Sequence, residues 1–329
     1  MKSLVTGGGG FLGQAIVKML LERGDEVIAL GRNRYSALEE LGATSFVADV
    51  SKPETFADIF SGVDEVYHTA AIADIWGRPQ DFISINYKGT LNVIAACHAN
   101  NIKKLIYTSS PSVVFAGKSQ RNVNESQAYP KTWLADYPKT KAMAEQAVLQ
   151  SNGQRGLYSV ALRPHLIWGP GDRHLIPRLL KRAQKGQLMQ VGDGQNKVDI
   201  IYIDNAAEAH LLASKQLGPN GNSNGKAYFL SQNAPVNLWD FIGEILSRAK
   251  APAVKKSLSF KKAYNIGFLM EKAYKLIGKT EEPRMTRFLA CQLATDHYYD
   301  ISRSISDFNY VARISTKKGL DIMFPGELM

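Results

Sequence analysis

The stretch Lys2-Ser-Leu-Val-Thr6-Gly7-Gly-Gly-Gly10-Phe11-Leu12-Gly13 decides the fold. Residues 2–6 form a short, largely apolar run that reads as a buried strand. After the glycines, Leu12, Ile16, Met19 and Leu20 recur with helical spacing, Gly24 ends the helix, and Val27–Leu30 starts a second strand. Strand, glycine turn, helix, strand is the context in which a glycine loop points to a dinucleotide rather than to a flexible turn. Positions without side chains let the backbone approach a pyrophosphate, and the helix start supplies N–H donors and positive potential. The spacing is Gly7-x-x-Gly10-x-x-Gly13, with Phe11 and Leu12 at the helix entrance.

The end of the second strand selects the cofactor. An acid there accepts a hydrogen bond from the ribose 2′-OH, whereas arginine accommodates a 2′-phosphate. The sequence reads Leu30-Gly31-Arg32-Asn33-Arg34. Arg32 therefore favours NADP(H) over NAD(H); the alternative is a merely solvated arginine. Further βα alternation follows. Phe46–Ala48 is a strand ending in Asp49-Val50, and Ser51-Lys-Pro53-Glu54 opens a helix. Val66–Thr69 is a strand closing on Ala70-Ala71, and Asn86–Ala99 is a helix. Leu105–Thr108 delivers Ser109-Ser110-Pro111-Ser112, and Val160–Leu162 ends in Arg163-Pro164. Repeated βα units predict an α/β fold with a doubly wound parallel sheet, whose ligands sit beyond the carboxyl ends of the strands. Gly7, Ala70, Ser110 and Pro164 share that edge.

Tyr137-Pro-Lys-Thr-Lys141 carries the chemistry. Pro138 fits only a first helical turn, which puts Tyr137 near a helix start, and Lys141 lies one turn on along the same face. An ammonium and the helix dipole together would bring a phenol, ordinarily near pKa 10, towards the range of a general acid/base. A surface helix with Tyr and Lys four apart by chance is the alternative, and the nucleotide loop upstream weighs against it.

With 329 residues, 45% hydrophobic and 21% charged, the chain has ample core for one large domain or a core with a cap. It contains no apolar run of membrane-spanning length and opens directly into a strand, so neither a span nor a signal peptide is expected. Cys97 and Cys291 make no disulfide framework, and the six histidines show no ligand spacing, so no metal is expected. A cytoplasmic setting is expected, with peripheral membrane association as an option. The net charge of +10 is uneven: residues 250–287 hold ten Lys/Arg against three acids, a net of +7. One segment rather than a fold-wide face carries the excess, which argues against nucleic acid.

Past Asp172 the pattern loosens. His174–Ala183 reads as a helix, Val198–Ile203 as a strand, Asp204–Gln216 as a helix capped by Asp204, Lys226–Leu230 as a strand and Trp239–Ala249 as a helix. Residues 257–279 mix Phe268 and other apolar residues with lysines, and read as a helical cap, a lid over an apolar substrate, or a surface for a membrane or partner enzyme. Residues 1–165 and 196–230 are assigned to the dinucleotide-binding part. Residues 166–195 and 231–329 are assigned to a smaller, mainly helical substrate part.

Taken together these residues resemble the extended short-chain dehydrogenase/reductase superfamily. Thr6–Gly13 is similar to its TGxxGFxG loop, Tyr137 and Lys141 to its YxxxK pair, and Ser110 to its catalytic Ser/Thr. Tyr107–Val114, Leu162–Asp172 and Glu282–Phe288 resemble the 3β-hydroxysteroid dehydrogenase branch, which includes sterol dehydrogenases and bacterial 2-alkyl-3-oxoalkanoate reductases. The resemblance implies a Rossmann domain and hydride transfer between a nicotinamide and a secondary alcohol or ketone of a bulky apolar, lipid-like substrate. It implies Ser110, Tyr137 and Lys141 as catalytic residues. Gly7, Gly10, Phe11, Leu12, Arg32, Asp49, Val50, Ala70, Ala71, Tyr137, Lys141 and Pro164 are assigned to the cofactor, which is NADPH by preference with NAD as the alternative. Ser112, His165 and Phe268 are assigned to the substrate, with a structural role as the alternative for His165. A homodimer through the helices near Asn86–Ala99 and Tyr137–Ser151 is also implied. A sugar-nucleotide epimerase or dehydratase, or a regulator without catalysis, are the competing readings.

Overall fold

The computed structural model describes residues 1–325. Five strands form the first half of a parallel sheet: β1 (Lys2–Thr6), β2 (Glu26–Gly31), β3 (Thr44–Val47), β4 (Glu65–His68) and β5 (Lys104–Thr108). Tyr158–Pro164 and Ala227–Leu230 complete it. The order is Ala227–Leu230, Tyr158–Pro164, β5, β4, β1, β2, β3. β1 pairs with β2 on one side and β4 on the other, with Thr6 opposite both Leu30 and His68. The chain reverses its direction of winding at that point, and a crevice opens beyond the strand ends there.

Successive strand residues face opposite ways. Val5, Val27 and Ala29 join Ile16, Val17 and Leu20 of helix α1 (Phe11–Glu22) in one apolar layer. Leu4, Ile28 and Val66 join Val93, Cys97, Ala144 and Val148 in the other. Ile16 is wholly buried, so its truncation to alanine costs about 2–5 kcal/mol.

The glycine loop is held to β4. Gly7 has φ +71°, and a Cβ there would lie 2.8 Å from the Ala70 nitrogen. A Cβ on Gly13 would lie 2.2 Å from the Gly7 carbonyl, so only glycine lets α1 start this close to the loop. His68 ties the two strands together. Thr90 donates its hydroxyl to the Asn86 carbonyl (2.7 Å), so it accepts from His68 Nε2 (2.9 Å), which leaves Nδ1 to accept from Thr6 (2.7 Å). Burial holds His68 at about 3, well below its ordinary value, so the ring is neutral in this relay.

Several expectations are corrected. Ser51–Glu54 opens no α-helix: the segment makes short 3₁₀ turns at Pro53–Thr55 and Ala57–Phe60, and Ser51 donates to the Asp49 carboxylate instead. Asp204 is not a cap, because the helix Ile203–Lys215 begins one residue earlier with Tyr202 at its N-cap. Val198–Ile203 is not one strand. Lys197–Val198 joins a small sheet with Val236–Asn237, His297–Tyr299 and Gln120–Val123, while Ile201–Tyr202 pairs with Ile167–Trp168. Asp199 separates the two pieces by turning its carboxylate onto the Tyr299 N–H (2.8 Å). The helix Gly89–Ala99 is entered through a π-helical turn, Ile83–Lys88, which carries Asn86.

Candidate active site

A cleft of about 650 Å³ opens at the carboxyl edge of the sheet. Gly7, Gly10, Phe11, Leu12, Arg32, Asp49, Val50, Ala70, Ala71 and Pro164 line it, as do Ser110, Ser112, Tyr137, Lys141 and His165. Fifteen residues from seven segments thus reach one cavity. Phe268 does not: it stands on the helix Phe260–Leu276, about a third exposed, beneath Lys272 (4.9 Å) and Arg287 (5.3 Å). Its neighbour Gly267 takes the buried side of that helix, which turns Phe268 outward.

The adenosine end is built for an anion. Helix α1 starts at Gly10 without a side-chain cap, so its first N–H groups face the loop free of any capping oxygen. Arg32 is exposed at the lip and has no ion pair or hydrogen bond among the described residues, while neighbouring Arg34 is engaged by Glu39. Burial works against the Asp49 carboxylate, but the Ser51 hydrogen bonds and nearby Arg32 hold it below the ordinary range. These groups, with a glycine cradle that a Cβ would fill, fit a dinucleotide.

The reacting end is made by three elements. Ser110 follows β5 in extended backbone, accepts from the Ser112 N–H (3.2 Å) and shares a hydrogen bond with the Ser112 hydroxyl (2.9 Å). Tyr137 is the second residue of the helix Asp136–Ser151, with Pro138 in the first turn. Burial pushes its phenol up from the ordinary value, and the Ser110 hydroxyl pulls it back. Lys141 does not supply the expected coupling to the phenol. Its ammonium donates to the Thr108 carbonyl (2.6 Å) and lies 4.2 Å above the Tyr107 ring. Burial lowers it to about 7, against a pull upward from Glu145.

Most of the supports join distant segments of the chain. Asn86 accepts from the Ile72 N–H (2.8 Å) and donates to the Ile72 carbonyl (3.0 Å) and the Thr140 hydroxyl (3.2 Å). It thereby fixes the loop after β4 to the Tyr137 helix. Asp172 accepts from the N–H groups of His174, Leu175 and Ile176, which caps the helix Leu175–Gln184 at the cleft wall. His165 lines the cleft and also makes a structural contact, Nε2 to Nδ1 of His297 (2.6 Å). Because His297 Nε2 donates to the Gln292 carbonyl (2.8 Å), its Nδ1 accepts and His165 Nε2 donates. Phe288 and Gln292 complete that wall. Cys97 and Cys291 are free and buried, and no cluster of metal-ligating side chains occurs among the described residues. No helix is long and apolar enough to cross a membrane among the described residues.

Comparison with known proteins gives the family. The model of the 3-beta hydroxysteroid dehydrogenase/isomerase family matches residues 4–261. A 2-alkyl-3-oxoalkanoate reductase of Stenotrophomonas maltophilia is 46% identical over 322 residues, covering 97% of each chain. The sterol-4-alpha-carboxylate 3-dehydrogenase, decarboxylating, of Mus musculus is 31% identical, covering 94% of this chain and 86% of the relative. A UDP-glucuronic acid 4-epimerase from Bacillus cereus, solved with NAD, shares the fold at a TM-score of 0.76 and 21% identity, covering 99% of this chain and 98% of that one. The chain belongs to the 3-beta hydroxysteroid dehydrogenase/isomerase family, and is an NAD(P)-dependent dehydrogenase or reductase of the extended short-chain type.

Proposed function

We propose that the protein is an NADPH-dependent reductase of 2-alkyl-3-oxoalkanoates. The observation that carries this reading is Tyr137 beside Ser110 in one cleft, whose far lip holds Arg32 with no ion pair among the described residues. A phenol, ordinarily near pKa 10, carries its proton at neutral pH and can give it to a developing alkoxide, as reduction of a ketone requires.

A reduced nicotinamide, when bound, supplies the hydride. Ser110 donates to the ketone oxygen and stabilises charge as it forms there. Tyr137 gives its proton to that oxygen, yielding the secondary alcohol. Lys141, anchored on the Thr108 carbonyl, holds the floor of the site in place. Leu166, Ile167, Leu175 and Phe288 line the substrate side, and the only Arg or Lys residues among the described lining residues are Arg32 and Lys141. A sugar diphosphate would find no other strong cation there. An alkyl chain finds an apolar wall.

The name of the Stenotrophomonas relative places a carbonyl two carbons from a carboxylate, and that of the mouse relative places a hydroxyl-bearing carbon beside a carboxylate-bearing one. That shared β-relation supports a β-oxo or β-hydroxy acid as the substrate class. NADPH consumption with a 2-alkyl-3-oxoalkanoate, run beside NAD(P)⁺ reduction with a 3β-hydroxysterol, tests the reading. Faster turnover of the sterol would replace it.

A further inference from the structure

The helix Phe260–Leu276 is attached by a narrow seam. Only Ala263, Gly267 and Glu271, four residues apart, are buried. A Cβ on Gly267 would lie 2.5 Å from the Thr286 carbonyl carbon, so helix and backbone touch there. Glu271 accepts from the Arg287 N–H (2.6 Å) and pairs with its guanidinium (2.7 Å).

The opposite face carries a second apolar row. Ile266, Leu269, Ala273 and Leu276 follow at spacings of three, four and three, which puts them on one stripe. Leu269 is 64% exposed, Leu276 88% and the adjoining Ile277 68%. Single exposed leucines are ordinary, but an ordered row on a helix face with no partner among the described residues marks an interaction surface. Lys255, Lys256, Lys261, Lys262, Lys272 and Lys275 are all exposed around it. The one acid between Lys250 and Lys279 is Glu271, which is buried and neutralised.

A second cavity of about 340 Å³ opens at the far end of this helix, lined by Trp76, Tyr274, Lys275, Gly278 and Lys279. It shares Phe288 with the catalytic cleft. Trp76 donates to the Lys279 carbonyl (3.1 Å) and meets Tyr274 edge-on, which fixes the rim.

We propose that this helix docks on an anionic lipid bilayer. It lies in the headgroup plane, with Ile266, Leu269 and Leu276 among the acyl chains and the lysines on lipid phosphates. Seventeen residues with this many charges lie on a membrane rather than span it. Pairing with a second copy would set lysine against lysine, so charge selects the anionic surface. Docking holds the enzyme at the surface where a long-chain apolar substrate resides; that consequence rests on the reductase reading, and the docking does not.

Flotation with phosphatidylglycerol and with phosphatidylcholine vesicles, each at low and high salt, tests the docking. The protein floats with phosphatidylglycerol at low salt, is released at high salt, and stays behind with phosphatidylcholine. The variant L269D/L276D binds phosphatidylglycerol at least about tenfold more weakly. Its melting temperature and its turnover of a soluble short-chain 3-oxo acid stay at the parent values, while its rate on a long-chain substrate presented in vesicles falls. Parent protein that stays off phosphatidylglycerol, equal flotation with both lipids, or unchanged binding of the variant overturns the proposal. So does light scattering in which the variant breaks up an oligomer. Failure of the reductase reading would look different: flotation intact, with no turnover of any 3-oxo acid.

Discussion

The Lys141 ammonium donates to the Thr108 carbonyl at 2.6 Å, reaching the backbone of β5 rather than the phenol one turn away. Burial holds this amine at about 7 in the folded chain, against 10.5 when solvated. Below pH 7 both folded and unfolded chains carry the proton, and the cost of burying it is fully present. Between about 7 and 10.5 the unfolded chain binds more protons, so stability rises with pH. The ligand-free protein gains ~3 kcal/mol from this group between pH 7 and 9.5. Lys141→Met removes that rise; urea midpoints across the range, compared between parent and variant, measure it. An identical rise in the variant assigns it to another group.

Tyr137→Phe removes the proton donor and leaves the ring packed. Turnover falls by about 10²–10⁴-fold, and NADPH binding, followed by quenching of protein fluorescence, stays within about twofold of the parent, because the glycine loop and Arg32 are untouched. Ser110→Ala lowers turnover by about 10²-fold, as expected for loss of one donor to the developing charge. A Tyr137→Phe protein that still turns over removes the phenol from its assigned role.

The parts of the site that could be read from the sequence are those where a residue type is dictated locally. Gly7 and Gly13 are legible because no other residue fits a loop pressed against Ala70 and its own helix. Tyr137 is legible because Pro138 fixes its place in a first turn. Asp172 was readable in principle, as an acid just before the apolar pattern of Leu175–Leu180. The rest depends on contacts between distant segments. His297 lies 132 residues from His165 and carries no periodic signal, yet it sets that ring's tautomer. Spacing puts Lys141 on the face of Tyr137, but the direction of a long side chain is set by whatever acceptor the sheet offers. Apolar content suggested Phe268 for the substrate; the seam through Gly267 turned it outward.

Arg32 has no ion pair among the described residues at the lip where a 2′-phosphate would sit, while Arg34 is engaged by Glu39. Arg32→Glu is therefore expected to weaken NADPH at least about tenfold, by loss of a charge-assisted contact, and to favour NADH by accepting from the ribose 2′-OH. The ratio of kcat/KM for the two cofactors reads the change. A constant ratio means that Arg32 is only solvated.

The outer faces of the helices Gly89–Ala99 and Asp136–Ser151 lie side by side, and Leu91 is 38% exposed there. We expect two copies to bury these faces against each other. Light scattering at micromolar concentration then gives twice the chain mass, and Leu91→Glu reduces it to one. A parent protein that scatters as a single chain rules this out.

Glu145 and Arg163 brace the catalytic helix against the sheet. Arg163 donates from Nε (2.9 Å) and from a terminal nitrogen (2.6 Å) to the two Glu145 oxygens, and Tyr129 adds a third donor (2.6 Å). Burial pushes the Glu145 carboxyl up, but the facing guanidinium overrides it and holds the group below the ordinary carboxylate range. Its contribution is thus present at neutral pH and is lost as acid protonates it. Glu145→Ala strands a buried guanidinium and costs about 3–5 kcal/mol, read from the urea midpoint at neutral pH. The pair E145M/R163M removes both charges and recovers most of that loss, because well-packed apolar groups replace a buried ion pair at little cost. Turnover separates structure from function: if the brace positions Tyr137 and Lys141, the double variant regains stability but not kcat. Recovery of both would reduce the pair to a stability element.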